Sequence, residues 1–271
     1  SSRLAPMLCA TSTDAAPTFI LAAANDAKIA IHIPHTKQQQ QPASHQLPAP
    51  TLRKPTALAA TTTTAALADD KGELLFYDLA RRELLRSLHA HQGPVLDLLF
   101  TSHDTVLSSG ADRLILTHDL ATGEQTGSRK AGKAAVSKLA CAPDGRHVLL
   151  AASTLRLLRL DTWKRVCRFS GHASATRHAA FSHDGTLLLS AAADRSMSLW
   201  AVSYSAKADD DDAPLVASFA FDADVVALGF APASDAESAT SSYTWFALTS
   251  DGDLHLWRVT AAALCAPSPK A

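Results

Sequence analysis

Two places along the 271-residue chain combine a serine, a histidine and an aspartate: His172, Ser190 and Asp194, and, earlier, His91, Ser108 and Asp112. These are the residue types of nucleophilic hydrolysis, in which an imidazole held by a carboxylate takes the proton of a hydroxyl as that oxygen attacks. Such a centre has to be unique, open to substrate and served by an oxyanion site. Here the set recurs along the chain, which favours a structural use. In the later set Trp200 supplies an indole N–H that needs an acceptor, Ser190 can accept and donate, His172 can bridge, and Asp194 in a turn can accept from the histidine. The expectation is a buried hydrogen-bond chain, repeated by His91, Ser108 and Asp112 with His118 standing where a second tryptophan would. His89 and His91 could suggest a metal pair, but one is expected at the surface and the other in the structural slot. The sequence holds no P-loop, GxSxG, HExxH, dinucleotide fingerprint or Cys/His metal spacing, so no enzyme activity, cofactor, metal or small-molecule substrate is expected.

Such chains of side chains need strands to hold them, and residues 170 to 200 supply the clearest pattern. After Gly171-His172 come an alternating run from Thr176 to Phe181, an Asp184-Gly185 turn, a second run from Leu187 to Ala191, a turn at Asp194-Arg195 and a third run ending at Trp200. Three short strands joined by two tight turns make an antiparallel meander. With Trp200 as reference, equivalent strand ends fall at His32, Tyr77, His118, Leu158 and Trp257, separated by 45, 41, 40, 42 and 57 residues. Each follows by six residues a turn position: Asp26, Lys71, Asp112, Ala152, Asp194 or Asp251. One meander buries too little surface to stand alone, so several must stack. The period, with Gly-His at one end and Trp at the other, predicts an all-β fold, a WD-repeat β-propeller with six detectable units and six or seven blades.

Residues 1–271 read as a single propeller domain with three insertions. The Gln/Pro-rich tract 34–52 offers no apolar face and is expected not to form a packed strand. The acidic loop 205–214 and the polar loop 233–243 are expected to remain solvated. Unit one is read as strands at 6–12, 19–24 and 28–33, unit four carries a turn about two residues shorter than its neighbours, and an outer strand near 215–221 leads into unit six.

Composition narrows the classes of partner. With 25 basic and 26 acidic residues the chain is near neutral, which argues against a protein built as a whole to embrace nucleic acid or membrane. The longest membrane candidate, residues 55–68, is an Ala/Thr run too short and too polar to span. The start, SSRLAPMLCATS, lacks both an initiator Met and the order of a signal peptide, so the chain reads as a piece of something longer. Cys9, Cys141, Cys167 and Cys265 show no paired spacing and read as reduced thiols of an intracellular protein. Charge is nevertheless unevenly spread: residues 121–180 carry 11 basic and 3 acidic side chains, and residues 181–271 carry 4 and 12. Arg129, Lys130, Lys133, Lys138, Arg146, Arg156, Lys164 and Arg165, from the basic stretch, are the candidate surface for RNA phosphate or an acidic partner.

The middle of the chain resembles one WD-repeat family in particular. Leu160-Asp161-Thr162 after a short fourth turn, then Phe169-Ser170-Gly171-His172-Ala173, are similar to the WD-repeat protein forty-three family, U3 snoRNP-associated proteins of the transcription-linked UTP subcomplex of the small-subunit processome. GELLFYDL and HQGPVL resemble its second and third units. The resemblance spans residues 70–258 and is most specific over 135–200. Leu158-Arg159 depart from the family's Trp-Asp, and its helical C-terminal region is missing, so the chain corresponds to the N-terminal propeller part. The resemblance implies a non-catalytic scaffold of the nucleolus, acting in pre-rRNA transcription and 18S rRNA maturation, with other processome proteins as partners and pre-rRNA or U3 snoRNA as candidate RNA ligands. A general WD-repeat adaptor, a substrate receptor or signalling scaffold, is the alternative.

Overall fold

The computed structural model describes residues 7–11, 18–23, 28–33, 43–47, 54–102, 104–204, 212–231 and 242–260, with side chains described from residue 54 onward. Two compact units divide the chain, Ser1–Val136 and Ser137–Ala271. Each contains three consecutive antiparallel sheets, and no helix occurs among the described residues.

In the first unit, β1 (Met7–Thr11), β2 (Thr18–Ala23), β3 (Lys28–Ile33) and β4 (Ala43–Leu47) pair in chain order. The second sheet holds β5 (Pro55–Ala60), β6 (Thr64–Asp69), β7 (Glu73–Asp78) and β8 (Glu83–His89), and the third β9 (Val95–Phe100), β10 (Thr105–Gly110), β11 (Leu114–Asp119) and β12 (Gln125–Lys130). The second unit begins with β13 (Lys138–Cys141), β14 (His147–Ala151), β15 (Leu155–Arg159) and β16 (Arg165–Phe169). It continues with β17 (Thr176–Phe181), β18 (Leu187–Ala192), β19 (Ser196–Ala201) and β20 (Leu215–Ala220), then with a three-stranded sheet of β21 (Val225–Phe230), β22 (Ser242–Thr249) and β23 (Leu254–Thr260). Within each unit the first strand of one sheet lies against the first strand of the next.

Burial follows position in the sheet. Strand β18 (LLLSAA) is buried at every residue because the sheets before and after it cover both of its faces, and β14 (HVLLA) is buried throughout as well, whereas outer strands such as β12 (QTGSRK) are mostly exposed. Alanine suits the crowded positions: Ala65, Ala66 and Ala68 of β6 are all buried. The repeat's internal clock is visible in the ladders. The third-to-fourth strand pairing shifts register between Phe76 and Tyr77, Thr117 and His118, Leu157 and Leu158, and Leu199 and Trp200. These bulges fall on four of the strand ends set equivalent to Trp200, so one local distortion recurs at the sequence period.

Three expectations need correction. The Gln/Pro tract contains β4, whose backbone pairs with β3 from Ile29↔Leu47 to Ile33↔Ala43. An outermost strand needs ladder bonds and no two-sided apolar burial, and residues 43–47 contain no proline. The acidic loop ends in fixed contacts: Arg168 Nε donates to Asp212 Oδ1 at 2.9 Å, Ser170 Oγ donates to the same oxygen at 3.1 Å, and Ala213 packs into the core around Trp200. The last two residues of the polar loop belong to β22, where Ser242 and Tyr243 pair with Thr260 and Val259. Tyr243 Oη donates to Asp184 Oδ2 at 2.6 Å in the neighbouring sheet. Burial alone would raise the Asp184 carboxyl, but the hydroxyls of Ser182, Tyr243 and Thr186 hold it down at about 2. The turn position Asp26, and residues 34–42, 48–52, 205–211 and 233–241 of the insertions, lie outside the described residues.

Candidate functional site

The later Ser/His/Asp set is assembled from four segments: the connection before β17, strand β18, the β18–β19 turn and the end of β19. Trp200 Nε1 donates to Ser190 Oγ at 2.8 Å, and Ser190 Oγ meets His172 Nε2 at 2.7 Å. His172 Nδ1 lies 2.9 Å from Ser196 Oγ, whose hydroxyl donates to Asp194 Oδ1 at 2.5 Å. One direction satisfies every group: indole to Ser190, Ser190 to Nε2, Nδ1–H to Ser196, and Ser196 to the carboxylate. Asp194 therefore does not accept from His172 directly, as expected, but through Ser196, while its other oxygen takes the Ala173 N–H at 2.9 Å. Ser196 is the member missed by sequence reasoning. A serine two residues after a turn aspartate was the available signal, because the side chains of a tight turn and the following strand start face the same connection.

In the earlier set the carboxylate does reach the imidazole. His91 Nδ1 is 3.1 and 3.0 Å from the two oxygens of Asp112, and its Nε2 is 2.8 Å from Ser108 Oγ. Asp112 also accepts the Leu114 N–H at 3.0 Å and the Gln92 N–H at 3.1 Å. His118 takes the tryptophan slot, with Nε2 3.5 Å from Ser108 Oγ, so an imidazole N–H replaces an indole N–H. The substitution is imperfect: His118 Nδ1 is buried with no partner among the described residues.

Electrostatics agree with a structural role. Burial lowers His91 even though Asp112 pulls it upward, and burial lowers His172 against a weaker pull from Asp194. Burial and the neighbouring His91 press His118 down to about 4. The imidazoles are thus neutral at neutral pH. Ser108 and Ser190 are both 0% exposed, which closes each hydroxyl to any substrate. Replacing His172 with alanine leaves Ser190 and Ser196 without their shared partner. The expected loss is about 1 to 3 kcal/mol, read from chemical denaturation, and an unchanged midpoint would remove the network from the account of stability.

The basic residues are spread over several elements. Arg129 and Lys130 end β12 and Lys133 follows it, all in the first unit; Lys138 begins β13, Arg156 lies in β15 and Arg165 begins β16, in the second. Arg146 precedes β14 and Lys164 precedes β16, both exposed; the Leu160 N–H donates to the Arg146 carbonyl at 2.8 Å and the Arg159 N–H to the Lys164 carbonyl at 3.0 Å. Arg159, Arg168 and Arg177, from the same basic stretch, are bound to Asp161, Asp212 and Asp224. His89 is exposed and its Nδ1 lies 3.1 Å from Glu73 Oε1. Cys141 and Cys167 are free thiols, and burial pushes Cys167 up to about 11.

Stacked four-stranded meanders with a recurring Ser–His network define the class of protein: the fold is that of a WD-repeat β-propeller. Residues 82–119 and 163–201 match the family model "WD domain, G-beta repeat". Each matched segment runs from the end of one sheet into the first three strands of the next, and these are the two segments that carry the complete networks. A chain from a crystal structure of the mitotic checkpoint complex is similar over 90% of this chain and 73% of that one, with a TM-score of 0.68 and 16% sequence identity. Matching solved chains number 1531, so likeness of fold selects no particular partner. No curated protein matches the sequence.

Proposed function

We propose that this chain is a non-catalytic docking scaffold and, more finely, a nucleolar subunit of the small-subunit processome that acts in pre-rRNA transcription and 18S rRNA maturation. The observation that carries the scaffold reading is the complete burial of Ser108 and Ser190 inside repeated networks. The chemistry-bearing residues are spent on holding sheets together, which leaves the loops and outer strands as the working surface. The finer reading is supported by the resemblance of residues 135–200, including the short fourth turn, and by exposed Arg146 and Lys164 as places for phosphate or acidic side chains.

The test is affinity purification of the full-length protein from cells, with identification of bound RNA and protein. U3 snoRNA, pre-rRNA and processome proteins are the expected companions. Recovery of a ubiquitin-ligase or signalling set without them would overturn the processome assignment in favour of a general adaptor.

A further inference from the structure

The hairpin between β14 and β15 is shorter than its counterparts. Its last pair, Ala151↔Leu155, leaves three residues in the turn, whereas Ala68↔Leu74, Ser109↔Ile115, Ala191↔Met197 and Leu248↔Leu254 each leave five. Those four longer turns share a residue in the left-handed region, Gly72, Arg113, Arg195 and Gly252, and the β14–β15 turn has none. In three of them that residue's carbonyl reaches across to the segment leaving the sheet. Gly72 accepts the Ala90 N–H at 2.9 Å, Arg113 the Ala131 N–H at 2.8 Å and Arg195 the Phe221 N–H at 3.0 Å. The corresponding donor after β16 is the Ser170 N–H, and no carbonyl of the short turn meets it.

A cavity of about 130 Å³ lies at this place, bordered by Ser153, Thr154, Leu155, Phe169, Ser170 and His172 among others. It has room for about four waters. Its floor is apolar, from buried Leu155 and Phe169 and the His172 ring, both of whose nitrogens are already engaged by Ser190 and Ser196. Ser153, Thr154 and Ser170 bring polar groups to its lining. An anion is disfavoured, because Asp212 already sits on Ser170 Oγ at 3.1 Å. A neutral acceptor on a small apolar body fits both the charge and the missing piece.

We propose that this cavity is a docking site for a reverse turn of a partner protein, which inserts a backbone carbonyl toward the Ser170 N–H in place of the two residues that the β14–β15 turn lacks. The partner thereby completes in trans what the other hairpins complete in cis. The site deepens the scaffold reading by giving one location and one ligand chemistry, and it stands whether or not the partners belong to the processome.

The test is amide NMR of the chain titrated with N-acetyl-Asn-Gly-amide, with sodium acetate at matched ionic strength as the second arm. Saturable shifts of Ser170, Gly171 and Thr176 are expected with the peptide and not with acetate. A variant with Asp-Gly inserted between Ser153 and Thr154 should show the Ser170 amide already shifted and no further response, while Ser153→Phe, which fills the cavity without lengthening the turn, should also abolish the response. Absence of saturation in the parent, equal response in the parent and both variants, or saturation by acetate alone would overturn the proposal. Because the probe is a bare turn peptide, such a failure would leave the co-purification test of the scaffold reading untouched.

Discussion

Truncating Trp200 to alanine is expected to cost about 3 to 5 kcal/mol, a large fraction of the roughly 5 to 15 kcal/mol by which a domain is ordinarily stable. The side chain is fully buried and packs edge-on against Phe169 at 5.7 Å and His172 at 6.2 Å. Its cluster includes Leu149, Leu157 and Cys167 from one sheet and Leu188 from the next, so a single side chain joins two sheets. Removal would open a cavity that close-packed strands cannot collapse into, and would leave Ser190 without its indole donor. Trp200→Phe keeps one aromatic ring but loses the N–H and part of the indole's volume, so its cost should be smaller than that of alanine, about 2 to 3 kcal/mol. Urea denaturation followed by far-UV circular dichroism measures both. A loss below about 1 kcal/mol for the alanine variant would mean that the two sheets are held by something else.

Acid should weaken the first unit through His118. Its folded pKa, about 4, lies below the ordinary 6.5, so the unfolded chain takes up the proton first as pH falls. Stability from this group is therefore complete above pH 6.5, declines between 6.5 and about 4, and declines no further below that. At about 1.4 kcal/mol for each tenfold change in proton affinity, the loss amounts to roughly 3 kcal/mol. The cause is geometric: protonation would place a proton on buried Nδ1, which has no acceptor among the described residues, beside His91. His91 is lowered as well and contributes with the same sign. Melting temperature measured from pH 7.5 to 4 should fall less steeply for His118→Phe than for the parent. Parallel curves would assign the acid sensitivity to other histidines or to carboxylates.

The His118 slot also shows how far a linear reading goes. Spacing alone placed it as the counterpart of Trp200, and the ladder bulge between Thr117 and His118 falls where the bulge before Trp200 falls. What spacing could not show is that an imidazole in that slot keeps the donor and orphans the second nitrogen, since that depends on which atoms the neighbouring sheet brings near. Asp194 makes the same point. Its distance from the imidazole was set by a turn geometry that interposed Ser196, and residue types alone do not encode a detour of one hydroxyl.

The repeat, the inner strands of its units, the short fourth hairpin and the Ser, His and Asp members of both networks were determined by the sequence itself. Alternating polarity and turn residues act over a few neighbouring positions, so they can be read along a line. Only the tertiary structure decided that Gln/Pro flanks admit an outer strand, that Asp212 and Tyr243 tie loops to neighbouring sheets, and that a cavity lies between the short turn and Ser170. Those outcomes depend on distances between segments far apart in the chain, which are set when the sheets pack and have no local signature.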